Sequence, residues 1–116
     1  MASELEIQPV WEDAAERLLA KNDRLMRAAI RYEFDETLKN PDQNLTEIDP
    51  ALHLHTTPVA GRRYTVLWTL KESEQGRFAL VKAVVPAEFS GEDSRSIVKK
   101  VNAFGMQELG REFDFS

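Results

Sequence analysis

The chain has 116 residues, no cysteine, 15 Lys and Arg against 20 Asp and Glu, and a formal charge of −5. That length suffices for one domain, 1–116, with a conventional core. The missing cysteines exclude a disulfide scaffold, a thiolate zinc site and thiol catalysis, and the acidity argues against a general nucleic-acid binder, whose affinity rests on many phosphate contacts.

No apolar run approaches the roughly 20 residues of a membrane span, and the opening Met1 to Glu6 lacks the charged and apolar regions of a signal peptide. A soluble cytoplasmic protein without membrane association is expected. The charge is uneven: residues 1–50 hold 6 Lys and Arg against 12 Asp and Glu, and residues 51–116 hold 9 against 8. The acidity therefore belongs to the first half, and the second half can still present a local positive face.

Leu5 and Ile7 alternate with polar neighbours, which predicts a short strand ending at Pro9, since proline donates no ladder hydrogen bond. From Val10 to Ala20, Trp11, Ala14, Ala15, Leu18 and Leu19 recur at helical spacing, with Glu12, Asp13 and Glu16 suited to the helix start. Asn22 and Asp23 are natural caps for a second helix that carries Leu25, Met26, Ala29, Ile30, Phe34 and Leu38 on its buried face and stops at Asn40 and Pro41. The two amphipathic helices form a hairpin that needs a sheet to cover it.

Residues 41–50 read as a polar loop anchored by Leu45 and Ile48, and Leu52 to Thr57 alternates as a strand. Gly61 marks a turn before a strand over Tyr64 to Leu70. Its Tyr64, Val66, Trp68 and Leu70 share one face, and Thr65, Leu67 and Thr69 share the other. Lys71 to Arg77 reads as a charged loop, and the apolar run Phe78 to Val85 as a central strand antiparallel to the one before it. Ser90 to Asp93 has the form of a capping box. Ile97, Val98, Val101 and Phe104 then predict a third helix ending near Gly105, followed by a tail to Ser116 that is either docked or frayed. The fold class these elements define is α+β: an N-terminal helical hairpin packed on a small antiparallel β-sheet, with an additional C-terminal helix. The core is expected over 5–89, with the helix and tail over 90–116.

Arg62 and Arg63, with Arg77 and Lys82 on the same hairpin, are the candidate site residues, because several fixed cations at a sheet edge can clamp a phosphate or stabilise its charge during transfer. The alternative is solvated charge that protects a sheet edge from aggregation. If Arg62 and Arg63 lie on a strand they point to opposite faces. His53 and His55, two apart, would share a strand face, but a third metal ligand is missing locally. Glu33, Asp35 and Glu36 read as a solvated acidic face paired with Arg31 and Lys39. Trp11 and Trp68 fall at core-facing positions and read as packing. No Gly-rich phosphate loop, nucleophile elbow or H-E-x-x-H occurs, and no cofactor or metal is expected.

The element order, the segment Leu38-Lys39-Asn40-Pro41 and the later Val59-Ala60-Gly61-Arg62-Arg63-Tyr64-Thr65-Val66 together resemble the RelE/ParE toxin superfamily. The resemblance spans Leu5 to about Val85. It implies two helices packed on a twisted antiparallel sheet, and one of two activities. One branch of the family is a metal-independent endoribonuclease that cuts mRNA on the ribosome; the other poisons DNA gyrase without being a nuclease. It also implies a protein partner, whether antitoxin, toxin or target, and RNA at the hairpin face in the cleaving branch. Arg62 or Arg63 falls where a family arginine is expected, and Arg77 and Lys82 match less closely. The chain departs from the cleaving members in being acidic, in carrying Thr65 in place of an arginine, and in offering Pro86 to Phe89 where a catalytic His or Tyr follows the last strand. The second reading is a non-enzymatic acidic interaction module, an immunity, antitoxin-like or regulatory protein.

Overall fold

The computed structural model describes residues 7–39, 47–49, 54–87, 94–111 and 113. Among them the element order is β1 (Gln8–Trp11), α1 (Asp13–Ala20), α2 (Arg24–Leu38), β2 (Glu47–Asp49), β3 (Leu54–Val59), β4 (Tyr64–Ser73), β5 (Gly76–Pro86) and α3 (Ser94–Leu109). The strands form one sheet in the order β1-β5-β4-β3-β2. Strands β2 to β5 pair antiparallel in succession, and β1 joins the outer side of β5 in parallel. The α+β class and the helical hairpin over a sheet are as the sequence predicts, but the sheet is mixed and not purely antiparallel, because β1 pairs with β5 in parallel.

Several boundaries move. The first strand includes Pro9 and runs to Trp11, so the first helix starts at Asp13 and not at Val10. As an edge strand β1 tolerates a residue without an N–H, because one of its sides needs no ladder partner. Asp23 caps α2 by accepting from the Met26 amide at 2.8 Å. Ile30, Phe34 and Leu38 are buried as expected, whereas Leu25 points outward and is 83% exposed. The predicted loop at 41–50 contains β2, a three-residue edge strand on β3.

The charged stretch predicted as a loop is mostly strand: β4 continues to Ser73, which pairs with Gly76 across the two-residue turn of Glu74 and Gln75. Gly76 takes φ 122°, a value costly for any residue with a Cβ. Nor does the third helix end at Gly105. It runs on to Leu109, and Gly105 is buried because the tail folds back there: a Cβ at that position would lie 2.7 Å from the Arg111 carbonyl and from the Phe113 ring. Phe113 is docked, its amide donating to Asn102 Oδ1 at 3.0 Å. Leu5, Leu45, Leu52, His53, the capping box at 90–93 and Phe115 lie outside the described residues.

Each sheet face has its own core. On the first, Ile30, Phe34 and Leu38 of α2, with Ala15 and Leu19 of α1, pack on Val59, Val66, Trp68, Ala79, Val81 and Val84. On the second, Ile97 and Val101 of α3, with Phe113, pack on Leu54, Leu67, Ala83 and Val85. Helix α1 contributes to both, since its Leu18 belongs to the second core. Trp68 is the centre of the first core. Fully buried, it stacks on His55 with ring centroids 4.4 Å apart, meets Phe34 edge-on at 6.0 Å, and donates from Nε1 to Thr57 Oγ1 at 2.9 Å.

A bulge interrupts the β4 and β5 ladder. The register passes from Leu67 opposite Ala83 to Trp68 opposite Val81, which leaves Lys82 without a ladder partner. Such an extra residue re-aims its own side chain. This one is buried and ion-paired, Nζ to Glu12 Oε1, at 2.6 Å.

Candidate functional site

The turn between β3 and β4 is the most strained backbone among the described residues. Ala60, Gly61 and Arg62 are consecutive and all left-handed, at φ 54°, 66° and 66°. Gly61 adopts this conformation freely. Ala60 and Arg62 do so at a cost of about 1–2 kcal/mol each, from the clash of Cβ with the backbone.

Long-range contacts hold the turn in that shape. The Ala60 amide donates to Glu33 Oε1 of α2 at 3.0 Å, and the Arg63 amide donates to the Ala60 carbonyl at 3.3 Å. The Arg63 carbonyl accepts from the Ala87 amide at 3.0 Å. Tyr64 donates its phenol to Asn22 Oδ1 at 2.7 Å, and the Asn22 carbonyl accepts from Arg27 Nη1 at 2.7 Å. Glu33 is therefore a turn anchor and not part of a solvated acidic face, and Asn22 ties the helical hairpin to β4. Neither tie is local in sequence, the Glu33 contact spanning 27 positions.

Both Arg62 and Arg63 are exposed, and they sit in the turn and not in a strand, so the alternation that would send them to opposite faces does not apply. The other two candidates are elsewhere. Tyr64 and Ser73 bound a ten-residue strand, so Arg77, beside Gly76 at the far end of the ladder, lies about 30 Å from the arginine turn. It lines a cleft of about 440 Å³ with Gln8, Val10, Gln75 and Phe78. Lys82 is held inside by Glu12. Of the predicted constellation, the structure brings together only Arg62 and Arg63.

His55 is buried against Trp68. Among the described residues no group of three or more His, Asp or Glu side chains is arranged to hold a metal ion. Of the acidic face on α2, Glu36 pairs with Lys39 at 2.7 Å, while Arg31 pairs with Glu16 of α1 and lies over the Trp11 ring at 4.7 Å. Burial raises the Asp35 carboxyl above its ordinary pKa, against the opposing pull of Arg31 and Lys39.

The strain is testable. Ala60→Gly should stabilise the protein by about 1 kcal/mol, the relief of the left-handed clash exceeding the added entropy of glycine. It leaves both arginines in place. Arg62→Gly should stabilise similarly while removing a guanidinium, so urea unfolding midpoints above wild type for both variants are the expected result.

The order of elements, the two-helix layer and the sheet with its parallel first strand define an α+β fold that is found in a solved structure. A chain in the crystal structure of the toxin–antitoxin complex RelBE2 from Mycobacterium tuberculosis shares it, with a TM-score of 0.53 and 14% sequence identity over 70% of this chain and 98% of that one. No protein-family model and no curated protein matches the sequence. No helix among the described residues is long and apolar enough to cross a membrane.

Proposed function

We propose that this toxin-fold chain engages its target through the Arg62 and Arg63 turn, acting on DNA gyrase and not by cutting mRNA, and that a protein partner binds it. The observation that carries the reading is the turn itself: two strained residues are pinned from α2 so that adjacent guanidiniums stand in solvent. Strain of this kind persists where the surrounding structure over-determines it, and it gathers at functional sites. Guanidinium pairs suit bidentate contacts to carboxylates and phosphates.

Of the two activities implied by the resemblance, the geometry favours binding. Attack by a ribose 2′-hydroxyl on the adjacent phosphate needs a base, an acid and charge stabilisation converging on one phosphate. Here Arg77 is at the other end of the ladder and Lys82 is committed to Glu12. The toxin–antitoxin complex in which the similar chain occurs supports a protein partner. So does the acidic first half, which would complement a basic partner. That same acidity favours the second reading, a non-enzymatic immunity or regulatory module.

Purified protein is expected to inhibit gyrase supercoiling and to leave mRNA intact in a translating extract. Arg62→Ala with Arg63→Ala should weaken inhibition at least about tenfold, as expected for two charged hydrogen-bond donors. Cleaved mRNA would overturn the choice of branch. No effect in either assay would leave the interaction module as the better account.

A further inference from the structure

From the second sheet face we infer that α3 is a strap, able to lift from the sheet as a unit while the remainder of the fold stays intact. The inference goes beyond the proposed target and does not depend on it. It starts from two hydroxyls. Thr65 and Thr69 are fully buried, and neither Oγ1 has a hydrogen-bond partner among the described residues. Both lie on the face that α3 covers: Thr65 is opposite Val85, Thr69 is opposite Leu54, and they flank Leu67, all three apolar residues belonging to the core shared with α3.

A buried, unpaired hydroxyl penalises the state that buries it, and water removes the penalty when the face is uncovered. On the first face the Thr57 hydroxyl accepts from Trp68 Nε1 at 2.9 Å. The two threonines therefore penalise the closed position of α3.

Two fastenings of the strap among the described residues are of the weak kind. Lys21 of α1 pairs with Glu108 at 3.5 Å, and Asp13 of α1 pairs with Arg111 at 3.3 Å. Lys21, Arg111 and Asp13 are about half exposed or more, so salt screens both pairs. The strap also carries its own padding, because Phe113, beyond the end of α3, is seated on Gly105 and tied to Asn102 of the helix. It can therefore move without first coming apart. At its other end, the last described residue before α3 is Ala87, whose amide is bonded to the Arg63 carbonyl.

The experiment is hydrogen exchange on the full chain. Amides of α3 are expected to exchange through an opening at least about tenfold more frequent than the one that exposes β4 and β5, and raised salt should increase it. Thr65→Val with Thr69→Val removes the penalty of closure and should slow exchange in α3 by about tenfold per site, with little change in α2. Because the chain has no cysteine, Lys21→Cys with Glu108→Cys can be joined by a short bifunctional thiol reagent. The cross-linked protein should lose the fast opening while α2 and β4 keep their wild-type exchange. Exchange of α3 at the same rate as β4 and β5, or unchanged exchange of α3 after the valine substitutions or the cross-link, would overturn the inference.

Discussion

Trp68→Ala is expected to lower the unfolding free energy by about 3–5 kcal/mol, the range for truncating a fully buried aromatic residue. The cost has named parts. The substitution leaves a void between α2 and β3, removes the stacked face of His55 and the edge contact with Phe34, and deprives Thr57 Oγ1 of the indole N–H. Trp68→Phe keeps a ring for both aromatic neighbours and should cost about half as much, losing the buried hydrogen bond and part of the volume. Urea unfolding followed by circular dichroism checks both. A loss under about 1 kcal/mol for Trp68→Ala would mean that the first core is not organised around this ring.

Glu12→Ala is expected to destabilise more than removal of its partner, Lys82. The asymmetry follows from burial: the Lys82 side chain is only 5% exposed, whereas that of Glu12 is 36% exposed. Deleting the carboxylate strands an ammonium inside the protein, while deleting the ammonium leaves a carboxylate that water can reach. A fully buried broken pair costs about 3–5 kcal/mol, and the partial exposure of Glu12 reduces this to about 2 kcal/mol. Lys82→Met fills a similar volume without charge and should be close to neutral. The pair also decides a question of function. If Lys82 is structural, Lys82→Met retains whatever the arginine turn does. If it belongs to the site, the variant is stable and inactive.

The parts of this fold that could be read from the sequence are those that local spacing determines. Apolar residues at three and four gave the helical hairpin, Asp23 marked the start of α2, and alternation from Tyr64 to Leu70 assigned the two faces of β4 correctly. The errors fall where a distant part of the chain overrides local preference. Pro9 signals the end of a strand, yet β1 lies at the sheet edge, where a missing N–H costs nothing. Lys71 to Ser73 look like a loop because they are charged, but pairing with β5 carries them into the hairpin. Gly105 looks like a helix stop, whereas its missing Cβ makes room for Phe113.

The candidate site divides in the same way. Arg62 and Arg63 were visible as a basic pair beside Gly61. Their presentation was not, because it depends on Glu33, which sequence spacing assigns to a solvated face, and on left-handed backbone at Ala60 and Arg62. Lys82 looked like a helper because strand alternation carries no sign of the bulge that turns it toward Glu12. Arg77 looked close because it shares the hairpin, although a ten-residue strand places it at the opposite end.

Growth after induction in a bacterial host tests most directly whether this fold acts through its pinned arginine turn. Wild-type protein and Lys82→Met should arrest growth, and Arg62→Ala with Arg63→Ala should restore it at equal expression. Unimpeded growth with the wild-type protein, or arrest undiminished in the double arginine variant, would contradict the account.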